Sequence, residues 1–184
     1  MLRRGLTVSA ILLVFVVCTL PFWARSCGFG VMIREGVKSQ LARKRLLCET
    51  NYDALLACSR DLLKMVAEGR LKPDLYRVAC DRPSPQVSQF PKLILDLAPE
   101  LVHIDAQGFL TIEMRSHGMD HCGVIAYPED FKIPYPGFEY GGQGKLIDGL
   151  WYYDNEYIYD PAYDKVIDRL IEKGRQVQGE EREK

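Results

Sequence analysis

Apolar and polar positions divide the chain into stretches of different period. From Gly5 to Ala24 twenty residues carry no charge, with Ala10-Ile11-Leu12-Leu13-Val14-Phe15-Val16-Val17 at their centre. A helix of that length spans about 30 Å, the thickness of a bilayer core. The pattern predicts a membrane anchor over residues 1–25. A secretory signal peptide is the competing reading, since Arg3-Arg4 makes a charged start. Pro21-Phe22-Trp23-Ala24-Arg25 forms no good small-x-small cleavage site, however, and Phe22 with Trp23 suits an interfacial aromatic anchor. Cys18 follows Val17 rather than a small residue, which disfavours a lipoprotein cut.

After the exit Cys27-Gly28-Phe29-Gly30, the spacing becomes helical from Val31 to Leu47, with Val37 and Leu41 beside a basic Arg43-Lys44-Arg45. Thr50, with Asp53 three residues on, predicts the cap of a second helix. Leu55, Leu56, Leu62, Leu63 and Val66 give that helix one apolar stripe, and Gly69 and Pro73 end it. Pro83, Pro85 and Pro91 place a loop over residues 81–92. Beyond it the period falls to two. Leu101 to Asp105, Phe109 to Arg115, Cys122 to Tyr127 and Leu146 to Tyr153 read as strands, with turns at 106–108 and 116–120. Pro134, Pro136, Gly137, Gly141, Gly142 and Gly144 mark a long irregular loop. Asp160-Pro161 opens a closing helix with Val166, Ile167, Leu170 and Ile171 inward and Gly174 at its end. The expectation is an α+β protein: transmembrane helix, helical segment, antiparallel meander of three to four strands, C-terminal helix. Residues 26–174 form its single domain, and 175–184 a disordered charged tail.

Length and composition set outer bounds. The chain has 184 residues, enough for one domain, and its 27% charged and 10% aromatic content excludes a disordered polymer. A net charge of −1 gives no bulk reason to expect nucleic acid. That total conceals a division, because residues 1–82 sum to +7 and residues 83–184 to −8. The basic half suits anionic lipid head groups, and the acidic half a basic or sugar-bearing partner. Cations lie on both sides of the apolar run, Arg3 and Arg4 before it and Arg25, Arg34, Lys38, Arg43, Lys44 and Arg45 after it. Long domains translocate despite such charges, so the domain is read as extracytoplasmic.

Candidate chemistry concentrates in two places. His117-Gly118-Met119-Asp120-His121-Cys122 gathers imidazoles and a thiol, the ligands of a metal site or the parts of a hydrolase. If 105 faces 109 and 115 faces 121, His103 falls about 13 Å from His121, four strand residues away, and no single ion bridges that. His121 and Cys122 are neighbours, so on a strand they point to opposite faces, and Cys122 alternates with Val124 and Ala126 as a small core residue would. Five cysteines lie outside the span, so at most two disulfides can form, and Cys58 to Cys80 or Cys80 to Cys122 stay open beside unpaired thiols. Gly141-Gly142-Gln143-Gly144-Lys145-Leu146 is no phosphate loop, since Glu139 and Leu146 stand where Gly and Ser or Thr are needed. Asp154-Asn155-Glu156 and Asp160 lack the spacing of a calcium loop, and turn and cap duty accounts for them. No spacing fixes Asp148, Asp154 and Glu156 as a glycosidase pair. No motif implies a cofactor.

The second concentration is aromatic. More than half of the chain's Phe, Tyr and Trp residues fall between Phe131 and Tyr163. Neighbours alternate on a strand, so Trp151, Tyr152 and Tyr153 cannot all face one core. Tyr140, Trp151, Tyr152, Tyr157 and Tyr159 are therefore the candidate binding residues, for another envelope protein or a glycan.

Arg3-Arg4-Gly5-Leu6-Thr7-Val8 ahead of an apolar helix resembles the processing site of type IV pilins and pseudopilins. That family is cut after the glycine and usually carries glutamate five residues later, where this chain has Ala10. The resemblance covers about ten residues and implies a pilin-like subunit. The residues themselves point to a single-pass membrane protein with a binding or structural domain. The alternative is a hydrolase or metalloprotein using His117, His121 and Cys122.

Overall fold

The computed structural model of the protein describes residues 28–117, 120–128, 144–154 and 161–182. The anchor expected over 1–25, the proline-glycine loop and Tyr140, Tyr157 and Tyr159 lie outside them. Among the described residues no helix is long and apolar enough to cross a membrane. Contacts divide the chain into two units, Met1–Gln40 and Leu41–Lys184. Helix α1, Gly28–Lys44, runs through that division and passes into a π-helical turn, Arg45–Glu49, which buries Leu46 and Leu47.

Helix α2, Tyr52–Ala67, starts one residue later than Thr50 would have it. Asn51 is the cap, its side-chain oxygen accepting from Ala54 N at 3.0 Å, while the Thr50 hydroxyl donates back to the Arg45 carbonyl at 2.9 Å. The helix ends at Gly69 in the left-handed region (φ 72°), where the N–H groups of Gly69 and Arg70 take the carbonyls of Val66 and Met65. Leu55, Leu56 and Leu62 form its buried stripe.

The protein is α+β, and its described residues form four α-helices and one six-stranded antiparallel sheet. Its strands are β1 Asp74–Arg77, β2 Leu101–Ile104, β3 Leu110–His117, β4 Asp120–Ala126, β5 Gly144–Ile147 and β6 Leu150–Asp154, in the order β1-β2-β3-β4-β6-β5. The expected meander of three or four strands is thus corrected twice. β1 is an edge strand burying only Tyr76, whose ring meets Phe90 edge-on at 5.3 Å, so it shows no alternation in sequence. The run expected as one strand from Leu146 to Tyr153 is a hairpin folded at Asp148-Gly149, with Gly149 at φ 89°. Two short helical pieces also lie in and beside the proline-rich segment, a 3-10 turn Pro85–Gln89 and helix α3, Lys92–Leu97, which buries Ile94 and Leu97.

One face of the sheet is covered. Val102, Ile104, Leu110, Ile112, Val124, Ala126, Leu150 and Tyr152 meet Leu55 and Leu62 of α2 and Ile167 and Ile171 of helix α4, Pro161–Arg182. That helix does not close at Gly174, and residues 175–182 of the expected disordered tail are helical. A Cβ on Gly174 would stand 2.0 Å from the Leu47 carbonyl oxygen and 2.7 Å from the Tyr52 hydroxyl. Glycine is there to let α4 cross the π-helical turn at backbone contact, not to stop it. One turn on, the Gln178 amide accepts from Tyr52 N and donates to the Thr50 carbonyl, both at 3.1 Å, and so ties the last turns of α4 to the start of α2.

An alanine in a helix interior is normally about 1 kcal/mol better than glycine. Gly174→Ala is expected to do the reverse and lower stability by about 1 to 3 kcal/mol, because backbone must move to admit the methyl. Urea denaturation of the purified chain measures it, and a stabilised variant would contradict the close crossing.

Candidate functional site

Alternation gives the sheet two chemically different faces, and the middle strands carry the functional side chains on both. On the covered face, β6 places Asp154 with no exposed surface, two residues beyond Tyr152. Its carboxylate takes a forked contact from Arg43 at the end of α1, Nε to Oδ2 at 2.6 Å and Nη2 to Oδ1 at 3.2 Å. The Tyr152 hydroxyl donates to Oδ2 at 2.6 Å. Burial, then the charge of Asp154, holds the Tyr152 phenol well above its ordinary pKa, so it stays a donor. Cys122 on β4 faces Asp154 across the ladder and is fully buried.

The other face begins one residue away in each strand. Gly123 pairs with Tyr153, and Ile125 with Trp151. A Cβ on Gly123 would lie 2.9 Å from the Tyr153 hydroxyl, so the tyrosine ring lies across the glycine. His121 Nδ1 stands 2.5 Å from Glu113 Oε1 on the neighbouring strand. Burial first, then the negative charge of Glu113, pushes the Tyr153 phenol up. Trp151 and Tyr153 remain half-buried, and His121 keeps 33% of its side chain exposed. The result is an aromatic patch beside an acid and an imidazole.

These positions sort the sequence candidates. A bulge between Glu113 and Arg115 shifts the β3–β4 register, so His121 faces Ser116 and Cys122 faces Arg115, where an unbroken ladder would set 115 against 121. His103 does pair with Thr111. His121 and Cys122 lie on opposite faces and share no site, and the side chain of His117 lies outside the described set. Among the described residues no three of His, Cys, Asp or Glu gather so as to hold a metal ion. Tyr152 is in the core, which takes it off any contact surface, whereas Trp151 stays at the partly open face. Cys48, Cys58, Cys80 and Cys122 are not in disulfides, and Cys80 is exposed.

Two residues escaped the sequence reading. Arg43 sits inside a run of three cations and reads as a solvated face, and Asp154 reads as a turn acid. Only the opposed ends of α1 and β6 show that they are partners. A cleft of about 650 Å³ between β5 and α4 is lined by Lys145, Asp168, Arg169, Glu172, Lys173 and Arg175. Two of its four cations serve the fold, Arg175 donating to the carbonyls of Lys145 and Leu146 and Lys145 pairing with Asp148.

Fold and site together define an α+β protein with an ion-paired inner face and a half-open aromatic outer face. No protein-family model matches the chain, and no curated protein or solved structure matches it either.

Removing one member of a buried pair leaves the other charged in a medium that cannot solvate it. Asp154→Ala is expected to cost about 3 to 5 kcal/mol, while the apolar triple change Arg43→Met, Asp154→Leu, Tyr152→Phe recovers most of that loss. Denaturant midpoints of the two variants check this, and an equal loss in both would mean that charge burial is not the cause.

Proposed function

We propose that the protein is a single-pass membrane protein whose extracytoplasmic α+β domain is a binding module for another envelope protein or a glycan. The observation that carries the reading is the outer sheet face, where Trp151 and Tyr153 stay half-buried beside Ile125 and the His121–Glu113 pair. Tryptophan and tyrosine give large rigid contact area with a polar tip, which suits protein and sugar surfaces. The uncharged run from Gly5 to Ala24 supports the anchor, and the net −8 of residues 83–184 favours a basic or sugar-bearing partner over nucleic acid. Tyr140, Tyr157 and Tyr159 extend the aromatic set in sequence.

Trp151→Ala combined with Tyr157→Ala and Tyr159→Ala is expected to weaken capture of the partner at least about 30-fold, the scale of a lost hot spot. Co-purification from detergent extracts reads it, with the melting temperature as a control for folding. Undiminished capture by a folded variant removes the aromatic face from the binding role.

Sidedness has its own test in the thiols. Burial pushes the Cys48 and Cys58 pKa values up and Cys122 is fully buried, whereas Cys80 is exposed. In a Cys27→Ser chain, a membrane-impermeant maleimide is expected to label Cys80 in intact cells and to reach Cys122 only after denaturation. Labelling that needs permeabilised cells would put the domain on the cytoplasmic side.

A further inference from the structure

The cleft between β5 and α4 meets the outer aromatic face at a shared residue. Lys145 of β5 is the cross-strand partner of Trp151 on β6. Such partners stand on one face of a sheet with their Cβ atoms about 5 Å apart. Lys145 also lines the cleft, whose volume of about 650 Å³ is that of a small-ligand site. Its ammonium pairs with Asp148, but the two side chains are 50% and 95% exposed, so water screens the pair and another anion can take its place.

Four cations and two acids line the cleft, an excess of two positive charges. Arg175 is fixed at the strand edge, Nε donating to the Leu146 carbonyl at 3.3 Å and Nη2 to that of Lys145. Its Nη1 stands 4.0 Å from Glu172. A guanidinium held this way loses little further freedom on meeting a carboxylate. Arg169 and Lys173 lie one turn apart on α4, exposed, and neither has a hydrogen bond or ion pair among the described residues. From Arg175 to Arg169 the helix axis runs about 9 Å. At about 100° per residue, Asp168 and Glu172 fall between those two arginines.

That order selects among anions. A phosphodiester chain, charged on every unit, sets some of its charges against Asp168 and Glu172, and the net −8 of residues 83–184 repels it as a whole. A glycan whose acidic sugars alternate with neutral ones can place one carboxylate on Lys145 and Arg175, a neutral ring opposite the acids, and the next carboxylate on Arg169 and Lys173. The sugar beyond Lys145 then reaches Trp151, whose half-buried indole suits the apolar C–H face of a pyranose ring.

We propose that the β5–α4 cleft and Trp151 form one binding site for an acidic glycan with spaced carboxylates. The proposal rests on the binding-module reading above and names the ligand class of that module.

The probe is a hyaluronan hexasaccharide, in which uronate and N-acetylglucosamine alternate, titrated calorimetrically into the full chain in neutral detergent at physiological salt. Its methyl ester keeps the skeleton and removes the charges, and a thymidine hexanucleotide carries a charge on every unit. The acidic hexasaccharide is expected to bind at least about tenfold more tightly than either, the scale of a few exposed ion pairs together. Lys145→Gln combined with Arg169→Gln and Lys173→Gln is expected to bring its affinity down to that of the ester, and Trp151→Ala to weaken acid and ester alike. Melting temperatures control for folding. No binding of the hexasaccharide, equal affinity for acid and ester, tighter binding of the nucleotide, or full affinity in the folded triple variant overturns the proposal. A chain that binds acid and ester equally and loses both on Trp151→Ala sinks the charged cleft and leaves the module. One that binds neither sugar and captures no partner on co-purification sinks both.

Discussion

The buried contact between Arg43 and Asp154 is the constraint on which the arrangement of the Leu41–Lys184 unit turns. A carboxylate and a guanidinium, 0% and 4% exposed, are tolerable in a low-dielectric interior only if each meets the other with good geometry. The fork from Nε and Nη2, with the Tyr152 hydroxyl on the same oxygen as Nε, supplies that geometry. Its demand is local but its reach is long, since the two residues are 111 positions apart. It ties the last turn of α1 to the last residue of β6. From there Leu46 and Leu47 enter the core, α4 crosses Leu47 at Gly174, and Gln178 reaches the start of α2. The contact adds little net stability, since an apolar cluster of similar shape would hold about as well, but losing either partner strands a buried charge.

The same strand that delivers Asp154 inward delivers Trp151 and Tyr153 outward, a consequence of the two-residue period. The chemistry of the domain is therefore divided between faces. The Cys122 thiol and the paired Asp154 carboxylate are buried on the covered face, while the imidazole, Glu113 and the aromatic rings stay on the partly open side. Gly123 is demanded first by backbone, since a Cβ there would stand 2.1 Å from the Ile112 carbonyl oxygen, and the same bare position lets the Tyr153 ring lie close over β4. His121 and Cys122, neighbours in sequence, therefore stand back to back on the two faces of β4.

Much of the secondary structure was legible because local rules wrote it. The α2 stripe, the turn at 106–108 where Asp105 Oδ1 accepts from Gln107 N at 2.6 Å, and the start of α4 at Pro161 all follow from spacing, capping and turn chemistry. The β5–β6 hairpin was also written there, for Asp148-Gly149 between apolar runs is a hairpin signal. Reading Leu146 to Tyr153 as continuous overlooked it. β1 left no comparable mark, since an edge strand with one buried residue has no period to detect.

The sequence by itself determined the periods, the uncharged run near the amino terminus and the separation of basic and acidic halves, because these depend on residue order alone. Tertiary structure decided which of two glycine meanings applied. Gly69 ends a helix at positive φ, while Gly174 carries one through a crossing, and nothing local distinguishes them. It also decided the bulge that sets His121 opposite Ser116 rather than Arg115, and which cation of Arg43-Lys44-Arg45 is buried. The Gly174 crossing and the Arg43–Asp154 contact are long-range, and a pairing between residues more than a hundred positions apart leaves no trace in the neighbourhood of either.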